Sequence, residues 1–304
     1  MNDDTLWSRR EAIGLALAAG LAPHFAFAED RMITRPIPAS GESLPVIGLG
    51  TWQVFDVEST AEEIAPRRRI VEALLHAGGS LIDTSPMYNR SEQVIGDVIV
   101  AGVDRSKLFL ATKVWTDGKE AGERQMRRSA ELMNTDVIDL MQVHNRRDLD
   151  VHMATIRDRQ NAGGIRYNGV TDYRESAHDE MADVMQRHRP QFIQINYSLG
   201  EHAADDDVFP LARDSGIAVL VNRPFMSGRL FRAVRDRGLP DWAGEFADSW
   251  AQFFLKFIVS HPAVTCVIPA TSDPAHMADN LAAGTGVLPD AATRRRMIEF
   301  IGNV

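Results

Sequence analysis

Eight short apolar runs of β type, recurring about every thirty residues with helical patterns between them, limit what this chain can fold into more than any other feature. They fall at residues 46–50, 81–83, 108–113, 137–143, 165–170, 192–196, 218–221 and 265–268. Strand and helix alternating eight times predict an α/β fold, a closed parallel (β/α)8 TIM barrel; an open sheet satisfies the same periodicity, because alternation does not report closure. A short hairpin is expected before it, around residues 32–45. Among the helices, one is expected over 66–77 with Pro66 in its first turn, one over 91–100 capped by Ser91, one over 250–260 and a last one over 290–301. The stretch 226–249 carries Gly228, Gly238, Pro240 and Gly244 with Trp242 and Phe246, and predicts an ordered surface excursion after the seventh strand. With 304 residues, 44% hydrophobic and 25% charged, the chain is long enough for one barrel of roughly 250 residues plus additions. No linker, low-complexity tract or further repeat interrupts residues 29–304, so one domain is expected there. A formal charge of −9 argues against a nucleic-acid partner, and the basic run at 67–69 fits a solvated helix face.

Polar residues close several of these runs. Asp83 ends LID, Lys113 ends FLATK, and His144 ends IDLMQVH, which is the end of a parallel barrel where chemistry is kept. A lysine closing an apolar strand is costly to bury unpaired, and Asp83 on the preceding strand is the carboxylate at hand. Tyr88, five residues beyond Asp83, can then reach the ammonium. A phenol ionises near ~10 in water, and a neighbouring cation is expected to lower that toward a range useful for proton transfer.

Asp, Tyr, Lys and His in this order resemble the catalytic tetrad of the aldo-keto reductases. The resemblance extends over GLGTW (48–52), GGSLIDTSPMY (78–88), ATKVW (111–115), DLMQVH (139–144), GGIRYNGVT (163–171) and IPATSDPAHMADNLAA (268–283). It implies hydride transfer from a nicotinamide to an aldehyde or ketone. Tyr88 would be the proton donor, Lys113 would lower its pKa, Asp83 would hold Lys113, and His144 would orient the carbonyl oxygen. Trp52, Trp115 and Asn145 would line the substrate pocket. No metal is called for.

The same resemblance implies where the cofactor would lie. Thr51, Thr171, Asp172 and Gln194 would surround the nicotinamide, with Thr-Asp replacing the family's more usual Ser-Asn; an aspartate accepts from the carboxamide NH2 but cannot donate to its oxygen. Asn222 stands where many relatives place an aromatic that stacks on the ring. Arg223, Pro224, Phe225 and Gly228 would wrap the pyrophosphate, Arg223 adding a cation. Thr271, Ser272 and His276 with the following helix N-terminus would meet the adenosine 2′-phosphate, and Asp279 and Asn280 the adenine. The lysine and arginine that NADPH-preferring relatives bring to this segment are absent, so NADP(H) is the family expectation and NAD(H) an alternative.

The N-terminus differs in kind. Ser8, Arg9 and Arg10 precede the eleven apolar residues AIGLALAAGLA, then Pro23 and Ala26-Phe27-Ala28. That is the order of an export signal, and the twin arginines point to the Tat machinery. The apolar run falls short of the about twenty residues that span a bilayer, so cleavage after Ala28 and a periplasmic or secreted product are expected, with a cytoplasmic protein as the outcome if the leader goes unused. The single Cys266, in VTCVIP, cannot form an internal disulfide and predicts a buried strand thiol. From another class, a nucleotide-binding sensor or partner protein with slow or vestigial chemistry is favoured by Asp172 and Asn222 and opposed by the intact tetrad. A nonredox barrel is opposed by the phosphate-type sequences after strands seven and eight.

Overall fold

The computed structural model describes residues 31–303; the export leader expected over residues 1–28 lies outside them. The described chain opens with a hairpin, β1 (Thr34–Pro36) antiparallel to β2 (Ser43–Pro45). There follow β3 (Leu49–Gly50), α1 (Ala61–His76), β4 (Leu81–Asp83), α2 (Ser91–Val100), β5 (Phe109–Val114), α3 (Lys119–Leu132), β6 (Ile138–His144) and α4 (Leu149–Asn161). The second half runs β7 (Ile165–Thr171), α5 (His178–His188), β8 (Phe192–Asn196), α6 (Val208–Ser215), β9 (Ala218–Asn222), α7 (Arg229–Ala233), α8 (Trp250–Val259), β10 (Cys266–Val267), α9 (Pro274–Ala282) and α10 (Ala291–Gly302).

β3 to β10 form one parallel sheet in sequence order, and its two outer strands meet. Gly48 N–H donates to Val267 O at 2.8 Å, Val267 N–H to Val46 O at 2.9 Å, and Gly50 N–H to Pro269 O at 2.9 Å, so the barrel is closed and the open-sheet alternative falls away. Closure needs close backbone approach. A Cβ on Gly50 would stand 2.8 Å from Ile268 O, which excludes any larger residue there.

Two apolar clusters hold the barrel. The larger lies between strands and helices, and the smaller fills the interior with Leu81, Phe109, Leu140, Phe192, Leu220 and Cys266, plugged by Ile37 and Leu44 of the hairpin. Tyr167 Oη donates to Glu42 at 2.6 Å, and Arg35 reaches the carbonyls of His261 and Val259 at 2.6 and 2.5 Å, tying the hairpin over the N-terminal end of the barrel. Cys266 is the buried free thiol that its strand setting implies.

Several local expectations change. Helix α1 starts five residues before Pro66, because Thr60 accepts Glu63 N–H as a cap, so the proline sits inside the helix instead of opening it. Ser91 does not cap α2; its hydroxyl turns back to the Tyr88 carbonyl at 2.8 Å. The stretch after β9 is ordered as expected, with Met226, Leu230, Val234, Ala243 and Phe246 buried beneath it.

Candidate active site

At the C-terminal end of the barrel the apolar interior gives way to a polar layer. Lys113 is fully buried, and its Nζ donates to Asp83 Oδ2 at 2.6 Å and to the Thr84 carbonyl at 2.7 Å. The other carboxylate oxygen of Asp83 accepts from Gln194 Nε2 at 2.8 Å and Gln142 Nε2 at 3.1 Å. Strands β4, β5, β6 and β8 thus converge on one carboxylate. Burial pulls the Lys113 pKa down, but Asp83 and Tyr88 outweigh it and the net direction is up, so the ammonium stays charged.

Tyr88 hangs over this pair, with Lys113 Nζ 4.9 Å from its ring centre. Here the sequence-based expectation needs correcting. Burial first, with the Asp83 charge beside it, raises the phenol pKa against the pull of Lys113, and the net direction is upward. The phenol therefore keeps its proton at neutral pH, with the Lys113 ammonium beside it.

His144 faces Tyr88 edge-on, the ring centres 6.3 Å apart. Burial first, then the Lys113 charge, lowers its pKa to about 3, so the imidazole is neutral. Burial likewise lowers His261, packed on Phe209 with ring centres 4.5 Å apart, to about 4. Unfolded histidines take up protons below about 6.5. Between that value and the folded pKa values the unfolded chain binds more protons than the native one, so stability falls as pH falls. We expect the melting temperature to drop between pH 7.5 and pH 5, and to drop less in His261→Gln. An equal drop in that variant would remove His261 from the account.

Around these groups lies a cleft of about 780 Å³. Thr51, Trp52, Asp83, Tyr88, Trp115, His144, Asn145, Thr171, Gln194, Asn222, Arg223, Pro224, Phe225 and Gly228 all line it. Its outer wall is apolar and well exposed, with Trp52 at 51%, Tyr173 at 45%, Met87 at 42% and Phe231 at 38%. Trp115 is held from behind by Arg147, whose guanidinium lies 4.4 Å from its ring centre.

Three residues of the lining, Asn145, Asn222 and Arg223, each carry a buried polar atom with no partner in the described residues: Oδ1, Oδ1 and Nε. A buried polar atom without a partner needs one, and at these three positions on the cleft wall a polar ligand would supply it. Beside them, Arg223, Met226, Ser227 and Gly228 have φ of 51°, 51°, 53° and 80°. Backbone turned into the left-handed region curls N–H groups inward and suits a phosphate. A nicotinamide dinucleotide, with its carboxamide and pyrophosphate, fits this set.

Asp172 is placed differently from the expectation that it accept from a carboxamide. It is buried and clamped: Arg146 Nη1 donates to Oδ2 at 2.7 Å, Arg174 Nη2 to Oδ2 at 3.0 Å, and Arg174 backbone N–H and Nε to Oδ1 at 3.0 and 3.1 Å. Burial alone would raise its pKa, but Arg174 and Arg146 prevail and hold it below the usual carboxylate range. Thr171 donates instead to Gln194 Oε1 at 3.1 Å, and Asn222 Nδ2 to the Asp172 carbonyl at 3.2 Å.

The segment after β10 lines the cleft with Ile268 and Ala270 and then leaves it. Thr271 is buried and accepts from Asp273 N–H at 3.1 Å, while Ser272 and His276 are exposed. Asp273 caps α9 by accepting Ala275 N–H at 2.8 Å, so a carboxylate already occupies that helix start. Asp279 accepts from Ser249 and Gln252, both at 2.8 Å, and Asn280 is buried.

Sequence reasoning passed over Gln142, Thr84, Ser85, Arg146 and Arg174. Gln142 had a visible signal, a polar residue inside an apolar strand. Arg146 had none, because it comes back over Asp172 only through left-handed φ values at Asn145 and Arg146, 51° and 58°.

The profile described as Aldo/keto reductase family matches residues 46–295. An aldo-keto reductase of Bacillus subtilis (strain 168) is 29% identical over 60% of this chain and 59% of its own, about three fifths of each. An Escherichia coli (strain K12) NADH-specific methylglyoxal reductase is 25% identical over 68% of this chain and 72% of its own. Among solved structures, an aldo-keto reductase from Klebsiella pneumoniae in complex with NADPH is similar with a TM-score of 0.75 and 24% identity, over 89% of this chain and 96% of that one.

Proposed function

The chain belongs to the aldo/keto reductase family, and from that premise we propose that it reduces an aldehyde or ketone to an alcohol with NADPH or NADH, Tyr88 giving the proton. The observation that carries this is a phenol in a cleft, set over a buried Lys113–Asp83 pair and opposite His144. Bound NAD(P)H supplies a hydride to the carbonyl carbon. Tyr88 Oη passes its proton to the carbonyl oxygen, so the new C–H and O–H bonds complete the alcohol. Lys113 stabilises the phenolate left behind, and Asp83, braced by Gln142 and Gln194, keeps Lys113 in place. His144 hydrogen-bonds the same oxygen and orients it. Thr51, Thr171, Gln194 and Asn222 would hold the nicotinamide end, and Arg223 to Gly228 the pyrophosphate; Asp172 is taken up by Arg146 and Arg174. A sensor with vestigial chemistry has no use for a tetrad so fully assembled.

Cofactor choice tests this assignment most sharply. Asp273 at the start of α9 disfavours a second anion there, and no lysine or arginine replaces it in the segment 270–276. His276 is exposed and is the one side chain of that segment able to donate from a ring nitrogen. A charge-assisted hydrogen bond to phosphate is worth roughly 1.5–3 kcal/mol. We expect a modest NADPH preference that narrows further in His276→Ala, read as dissociation constants for both cofactors. A large preference unchanged by the substitution would place the 2′-phosphate elsewhere.

We further propose that residues 1–28 direct Tat export, which carries folded protein and so permits the cofactor to be loaded first. Arg9→Lys with Arg10→Lys should leave the protein in the cytoplasm with its leader attached. Mass spectrometry of exported wild type should show Glu29 first; an intact Met1 or Asn2 there would refute cleavage.

A further inference from the structure

We propose that Ser85 is a positioning residue that holds His144 in the tautomer with its proton on Nε2, so that the histidine meets the carbonyl oxygen as a donor. This rests on the carbonyl-reduction function above. Ser85 lies in the turn between β4 and Tyr88 and is fully buried. Its Oγ stands 3.3 Å from His144 Nδ1 and accepts Met87 N–H at 3.2 Å. Its carbonyl accepts Tyr88 N–H at 3.0 Å. One residue therefore touches both the backbone of the proton donor and the ring beside it.

A serine hydroxyl has one proton and two lone pairs. Met87 takes one lone pair. Among the described residues, the acceptor within reach of the hydroxyl proton is His144 Nδ1. Were Nδ1 protonated instead, it would point at the second lone pair, and the buried hydroxyl proton would be left without an acceptor, which folded proteins avoid. Nδ1 therefore keeps its lone pair. A neutral imidazole has a single N–H, so its proton sits on Nε2, the ring nitrogen left for the cleft that His144 lines. The opposite tautomer would set a nitrogen lone pair against those of the carbonyl oxygen, and hydride transfer, which builds negative charge on that oxygen, would be opposed by it.

The test uses the full chain labelled with 15N-histidine, the His144 signal being assigned by its loss in His144→Gln. At neutral pH we expect wild-type His144 to be almost wholly the Nε2–H form. Ser85→Ala should admit the Nδ1–H form, and kcat should fall severalfold, by the same factor as the Nε2–H population, with cofactor affinity unchanged. Ser85→Thr, which keeps the hydroxyl, should restore both. An Nδ1–H wild type would overturn the proposal. So would a Ser85→Ala variant that loses turnover with its tautomer intact, since that is a merely structural effect, or one that changes in neither respect. The spectra are read on resting protein, so failure of the reductase function shows separately, as a wild type that holds the Nε2–H form yet oxidises no NADPH with any carbonyl.

Discussion

Tyr88→Phe is expected to lower carbonyl reduction by a factor on the order of a hundred or more, while melting temperature and nucleotide affinity stay near wild type. The substitution deletes one oxygen and keeps the ring that packs over Lys113 and His144. Lys113 retains Asp83 and Thr84 as partners, so no buried charge is stranded. What is lost is the acid that protonates the oxygen as the hydride arrives. Initial rates with NADPH and a panel of aliphatic and aromatic aldehydes measure the effect. Near-normal turnover in this variant would remove Tyr88 from the chemistry and the tetrad with it.

A comparably large effect, on stability as well as rate, is expected from Lys113→Met. It leaves Asp83 charged and buried with only two amide donors, and breaking one side of a buried pair costs roughly 3–5 kcal/mol. Turnover should fall too, since the phenolate loses its cation. Asp83→Asn together with Lys113→Met should be more stable than Lys113→Met alone: the asparagine oxygen still accepts from Gln142 and Gln194, and no charge remains to be paired. Denaturant unfolding of the wild type, both single variants and the double variant gives the coupling. If the double variant is destabilised by the sum of the singles, the pair does not act as a unit.

The part of this site legible in the sequence was the part written in periodicity. Strand ends can be counted, and a charged residue closing an apolar run is conspicuous, so Asp83, Lys113 and His144 stand out, with Tyr88 following at reach. Whatever depends on a backbone reversal was not legible. Arg146 reaches Asp172 only because the chain after β6 enters the left-handed region, and nothing in HNRRD announces that. Burial was hidden as well: that Lys113 pulls the Tyr88 pKa down follows from adjacency, whereas the larger opposing effect depends on how much protein surrounds the phenol. At the segment 271–280 residue types suggested ligands, but Asp279 is spent on Ser249 and Gln252, partners at the start of α8 that no local pattern identifies.

The exposed rings and thioether of Trp52, Met87, Tyr173 and Phe231 come from three separate loops and from helix α7, and stand apart from the hydrogen-bond network that secures Lys113 and Asp83. Under the proposed function, selectivity and proton delivery would thereby be carried by different sets of side chains. Changes at the rim should then combine nearly additively, each altering which carbonyls enter without disarming the acid beneath. A library randomised at these four positions should retain a large active fraction with spread preferences, so that new specificities are reached by reshaping the mouth of the barrel while its reactive floor is left as it is.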